Sequence, residues 1–231
     1  MPDISDSLRA RIRALEGGGA GIGREVVPLG LAAIDRALPW GGLPRRSLHE
    51  LCGRAAAGAA ALFAGRLARA RGAVVWIHAA RHGQILHAPG LARFGLDPRR
   101  LLLVLARDER EAAWALEEAL RSPAVACAVA EASRLDLTLS RRLQLAAEAG
   151  GGTGLVLRPG PPDLAANAAL GRWRVEPLAL PGPRRWQLAL WRCRGGAPGS
   201  WTLRLEGERA PSLAVEDHAL SASADGAASG A

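Results

Sequence analysis

The sequence contains no lysine and no tyrosine, so all 30 of its basic side chains are arginines. An Ala-, Arg-, Gly- and Pro-rich composition of this kind is what a GC-rich genome produces. Its chemical consequence is an exclusion: without an ammonium group there is no P-loop lysine, no Schiff base and no Ser-Lys dyad. Cysteine is sparse as well. Cys52, Cys127 and Cys193 are scattered and form no C-x-x-C pair, so they read as reduced, buried small hydrophobes and not as disulfides or metal ligands. No G-x-S-x-G elbow is present, and no Ser/His/Asp order suggests a triad. No apolar run is long and uncharged enough to span a bilayer. The opening MPDISDSLRARIRALE lacks the apolar core of a secretion signal, which leads to the expectation of a cytosolic protein.

What is present is enough chain for one domain with a sizeable core, 231 residues. The net charge of +8 permits contact with nucleic acid or with an acidic partner without establishing either. Residues 7–16 form a short amphipathic pattern with Leu8, Ile12 and Leu15 at helical spacing. The glycines of 17–23 follow no strand, so they read as a linker and not as a dinucleotide fingerprint. Three units result: an N-terminal helix and linker over 1–24, a core domain over 25–209, and a disordered Ala/Ser/Gly/acid tail over 210–231.

Within the core, continuous apolar segments alternate with helical ones. Strands are expected at 48–51, 74–77, 101–105, 125–130 and 155–157. Helices are expected at 56–71, 86–94, 109–121 and 139–149, the last closed by GGGTG. Continuous apolar strands alternating with helices imply an α/β fold with a mostly parallel sheet covered on both faces. RWRVEPL, RRWQLALWRCR and SWTLRLEG read as further strands, the last two as a C-terminal antiparallel hairpin.

The strand at 48–51 runs into Gly53-Arg54-Ala55-Ala56-Ala57-Gly58-Ala59-Ala60 and then a long helix. Both glycines match the G-x-x-x-x-G-K-[ST] spacing, in which backbone N–H groups cradle phosphates, the lysine meets the terminal phosphates and the hydroxyl holds magnesium. Here Ala59 and Ala60 stand at the lysine and hydroxyl positions. The preceding segment, with Leu31, Ile34, Asp35, Leu38, Gly41, Gly42, Leu43 and Pro44, resembles the entry to the nucleotide site of RecA-like proteins. GGLPRRSLHEL, LDLTLSRRLQLAAEAGG and RWQLALWRCRGGAPGSWTLRLEG are more specifically similar to the ImuA family of bacterial SOS mutagenesis cassettes.

That resemblance implies a RecA-like core sandwiched by helices. It implies an adaptor for damage-induced mutagenesis and translesion synthesis. The partners it implies are an ImuB-type polymerase-like protein, with an error-prone C-family DNA polymerase and RecA as further candidates. It also exposes departures. Where RecA-like ATPases carry a catalytic glutamate, Ala80 stands. Glu131 is the one acid left, at the end of the strand that resembles Walker B. The segments 130–138 and 158–167, where RecA grips DNA, look shortened. No catalytic residue, cofactor or metal is expected, and any DNA binding is weak or indirect.

The remaining signals are less specific. His78, His82 and His87 lie close together with no acid or cysteine between them, which favours structural or solvent-facing histidines over a metal site. Asp108, Glu109, Glu111, Glu117 and Glu118 read as a helix end and solvated face. Arg141 and Arg142 fit a solvated helix face better than a DNA contact. For the C-terminal strands two readings stand side by side. Arg172, Arg174, Arg184, Arg185 and Trp191 belong to an interleaved Arg/Trp pattern that suits partner or nucleic-acid binding, while the tryptophans equally suit a sheet core. Outside the adaptor reading remain a single-stranded-DNA-binding module and a weak ATPase; a SulA-like division inhibitor is a variant of the adaptor.

Overall fold

A computed structural model describes residues 25–79, 87–158, 160–179, 181, 184–206 and 212–219. The expected N-terminal helix with Leu8, Ile12 and Leu15, together with Ala80 and His82, lies outside these residues. Among the described residues nine strands form one sheet: β3 (Ser47–Cys52), β4 (Ala73–Ala79), β5 (Leu101–Ala106), β6 (Val125–Glu131), β7 (Thr153–Arg158), β8 (Gly171–Leu178), β9 (Arg185–Cys193), β10 (Gly199–Glu206) and β11 (Ser212–Ala219). The order across the sheet is β11-β10-β9-β8-β3-β7-β6-β4-β5. From β8 to β5 every pairing is parallel; from β8 to β11 every pairing is antiparallel. The fold is therefore α/β, with a mostly parallel sheet and an antiparallel C-terminal extension.

Two short strands, β1 (Val26–Val27) and β2 (Leu43–Pro44), pair separately at the chain's entry. Between them Asp35 accepts the N–H groups of Leu29, Gly30 and Leu31 at 2.8, 3.0 and 3.2 Å. This single carboxylate fixes the turn into α1 (Ala32–Ala37), and Leu31, Ile34 and Leu38 then point into the core.

One face of the sheet is covered by α2 (Ala56–Leu67), with α1 and α3 (Ala88–Ala92) beside it. Ala59, Ala60, Leu62, Phe63 and Leu67 of α2 pack there against Trp76, Val129, Leu155 and Trp173. The other face is covered by α4 (Glu109–Arg121) and α5 (Leu137–Gly150), through Ala112, Leu116, Leu120, Leu143 and Ala147. The expected helices at 56–71 and 86–94 are shorter than their patterns, ending at Leu67 and Ala92.

Part of the stretch read as disordered is strand β11. Its register against β10 runs from Ser212↔Glu206 to Ala219↔Ser200. The apolar alternation there is thin, and only tertiary pairing brings it out. Val215 packs on the core cluster from this edge.

The C-terminal tryptophans sort by strand alternation. Trp186, Leu188 and Leu190 of β9 all face the core, with Trp173 and Trp201 on the neighbouring strands. Trp191 lies on the opposite face of β9.

Candidate functional site

Ligands of open α/β sheets bind beyond the carboxyl ends of the strands. Such a cleft is present here, about 370 Å³, lined by Gly53, Arg54, Glu109, Glu131, Ser133 and Arg158 among others. A larger opening of about 670 Å³ sits at the other end of the strands, around Glu25, Arg45 and Arg71. Its one acid is already shared: Glu25 accepts from Arg45 Nε at 3.0 Å and from Arg71 Nη2 at 2.5 Å, and with Arg46 the lining stays net positive. Position and composition, not size, single out the first cleft.

At the cleft the chain passes from β3 to α2 in only three residues, Gly53, Arg54 and Ala55. The helix thus begins at Ala56, before the second glycine of the G-x-x-x-x-G spacing. No wide loop is left to wrap a phosphate. What lies on the turn is the chain itself. Arg54 N–H donates to Glu176 Oε2 at 3.4 Å, and Arg54 Nε donates to the same oxygen at 3.2 Å. Ala55 N–H donates to the Val175 carbonyl at 3.1 Å. A Cβ built on Gly53, at φ +98°, would stand 2.3 Å from that carbonyl oxygen and 2.9 Å from Glu176 Oε1. Glu176 also accepts from Arg174 Nε at 3.4 Å. Burial works to raise its carboxyl pKa, but the bonds from Arg54 and Arg174 outweigh it and leave the group below the usual value. Strand β8 thus lays a carboxylate and a carbonyl on the first two amides of the turn after Gly53.

The second glycine has a packing role. A Cβ on Gly58 would meet the Trp186 indole at 2.4 Å, and Trp186 is 8% exposed. Gly58→Ala is expected to destabilise the protein by about 1–3 kcal/mol through overpacking, despite alanine's better helix propensity. Urea unfolding followed by tryptophan fluorescence measures it. Unchanged or raised stability would remove this role for Gly58. Ala59 and Ala60 are 2% and 0% exposed and belong to the α2 core face, not to the cleft.

Glu131 is held differently. Its Oε1 lies 3.5 Å from His78 Nδ1, and Glu109 Oε2 across the cleft accepts the Ser133 hydroxyl at 2.5 Å. Among the described residues no group of three or more His, Cys, Asp or Glu could hold a metal ion.

The candidate arginines separate clearly. Arg141 and Arg184 are exposed. Arg142 donates to Glu117, which also takes Arg121. Arg174 is on Glu176, and Arg185 Nη1 donates to the Pro181 carbonyl at 3.2 Å. Arg172 is the correction to the surface reading. It is 2% exposed, and its guanidinium is taken up inside the protein. Arg172 Nε donates to Glu50 Oε2 at 2.6 Å, Nη1 donates to the Ala165 carbonyl at 2.8 Å, and Nη2 donates to the Asp163 carbonyl. Trp191 lies over the same guanidinium, 4.3 Å from ring centroid to Cζ. Arg172 is thus not presented at the surface, while Trp191 is half-buried.

Sequence reasoning missed the centre of this network, Glu50. It is 1% exposed in the middle of β3. Besides Arg172 it accepts from Arg158 Nη1 at 3.1 Å and from Asn167 Nδ2 at 2.7 Å. A lone acid inside the apolar strand SLHELC was the available signal, because a buried carboxylate needs cations or donors around it.

The class is thus an α/β protein with a helix-covered, mostly parallel sheet, whose β3–α2 turn is held by β8, the neighbouring strand in the sheet. No family model matches the chain. It is 43% identical over 208 residues to Protein ImuA of Caulobacter vibrioides strain NA1000 / CB15N, covering 78% of this chain and 84% of that protein. Protein ImuA of the same species, strain CB 15, gives the same figures. The chain belongs to the ImuA family.

Proposed function

We propose that this chain is a non-catalytic, RecA-like adaptor of SOS-induced mutagenesis and translesion DNA synthesis, and that it binds an ImuB-type polymerase-like protein. An error-prone C-family DNA polymerase and RecA are further partners of the assembly. The observation that carries the non-catalytic part is the occupied turn: Glu176 and Val175 sit on the Arg54 and Ala55 amides, and Ala59 and Ala60 are core residues. In-line phosphoryl transfer depends on a positioned triphosphate and on charges placed to stabilise it. Glu131 without a lysine or hydroxyl supplies neither.

Membership of the ImuA family supports the mutagenesis setting. An adaptor also needs somewhere to dock. Edge strand β5 offers Leu102, Leu103 and Leu105 at 58%, 46% and 78% exposure, with no charge in the strand. An open apolar edge is a template for another chain. Direct DNA binding draws less support, since Arg142, Arg172 and Arg174 are engaged by carboxylates. Among the described residues no helix is long and apolar enough to cross a membrane.

Two titrations of the full chain test the reading. One uses magnesium–ATP to millimolar concentration and the other a purified ImuB-type protein. The adaptor reading expects no heat from the first and a saturable isotherm from the second. The reverse pair of results would overturn it.

A further inference from the structure

Strands β7 and β8 lie on either side of β3, so the chain between them must pass over β3. Parallel crossovers of this kind usually contain a helix. Here residues 160–170 contain none, and the strand they cross supplies the anchor instead. Glu50 reaches up from β3 to Asn167 and gathers Arg158 and Arg172. Arg172 then holds the carbonyls of Asp163 and Ala165, and Arg158 Nη1 lies 3.5 Å from Asp163 Oδ2. Asp163 Oδ1 takes the Ala165 N–H at 2.9 Å, and the buried Ser140 hydroxyl takes the Ala168 N–H at 2.9 Å.

Leu164 stands between the two gripped carbonyls. Its own side chain is 82% exposed, the highest among the exposed large hydrophobics of the described residues. A buried Glu–Arg–Arg cluster is costly to desolvate, and fixing one conformation is a use such clusters have. What is fixed here is the backbone on both sides of an apolar side chain directed into water.

We propose that Leu164 is a rigidly mounted knob that docks into an apolar socket on a partner protein, with basic groups at the rim of that socket. The basic rim follows from Asp163. Its carboxylate is 41% exposed beside the knob. The Ala165 N–H bond is the largest influence holding its pKa below the usual range, with Arg158, Arg172 and Arg134 adding to it. The same charge argues against a nucleic-acid wedge. Of the three arginines acting on Asp163, Arg158 and Arg172 are 10% and 2% exposed and turned inward onto Glu50, and Arg134 is exposed.

The inference rests on the adaptor reading, and the experiment separates the two. The full chain, its Leu164→Ala and Leu164→Arg variants, and a Leu105→Asp variant at the β5 edge are titrated against the purified polymerase-like protein. Each is also titrated against a fluorescent single-stranded oligothymidylate. Melting temperatures should match for wild type and both Leu164 variants, because the side chain is exposed. The knob predicts that Leu164→Ala weakens protein binding by about tenfold or more, the signature of a hot spot. Leu164→Arg should weaken it further, whatever the β5 variant does. Wild-type affinity in both Leu164 variants would overturn the knob and leave the adaptor standing. No binding by the wild type would overturn both. Loss confined to the oligonucleotide would make Leu164 a DNA contact and overturn the proposal equally.

Discussion

Placing a lysine and a hydroxyl at the two positions that match the phosphate-loop spacing, Ala59→Lys with Ala60→Thr, is expected to cost more than about 3 kcal/mol of stability and to bring no nucleotide binding. Both positions belong to the core face of α2, packed toward the sheet, at 2% and 0% exposure. A lysine there must bury its ammonium or displace the helix. The turn before it stays closed as well, because Glu176 and Val175 still hold the amides of Arg54 and Ala55. Urea unfolding gives the stability, and calorimetry with magnesium–ATP gives the binding. Ala60→Thr alone disturbs the core less and keeps the protein measurable; it too should show no binding. If the double variant folds with wild-type stability and binds nucleotide, the geometry described for the turn is wrong.

Breaking the buried cluster should be comparably severe. Arg172→Ala leaves Glu50 at the centre of the sheet with one guanidinium fewer, and frees the carbonyls of Asp163 and Ala165. Removing one partner of a buried pair typically costs about 3–5 kcal/mol. The matched comparison is Arg54→Ala. It breaks the ion pair with Glu176, in which Arg54 is 78% exposed, and should cost at most about 1 kcal/mol. Equal losses for the two variants in chemical denaturation would mean that Glu50 is not held in the way the distances indicate.

Legibility in the sequence follows how local each determinant is. Helix α4 occupies 109–121 as its pattern indicates, because its ends are written nearby: Asp108 accepts from the Glu111 N–H at 2.8 Å, and Arg121 lies in the last turn. Helix α5 is framed in the same way by Asp136 and by Gly151 at φ +92°. The alternation of buried strands with such helices made the α/β sheet readable.

The candidate site was less readable. Gly53 and Gly58 have phosphate-loop spacing, but each answers to a distant residue, Val175 and Trp186 respectively. Glu50 has partners 108, 117 and 122 residues away. No periodicity encodes those meetings. Arg172 looked like its exposed neighbours because burial of a charge is decided by what the fold brings over it. Strand β11 hid in a composition typical of disorder, since edge pairing needs backbone more than side chains.

The crossover above β3 has a consequence for motion. Surface connections without a helix ordinarily open first, at little free-energy cost and independently of the core. This one is bolted to the central strand of the sheet, so its residues can let go only when the sheet's own charges are exposed to water. Its openings should therefore be rare and coincide with global unfolding. A segment already fixed in this way loses little conformational entropy on meeting another surface. The stiffness that the sheet lends to the crossover is thus available to anything that binds there.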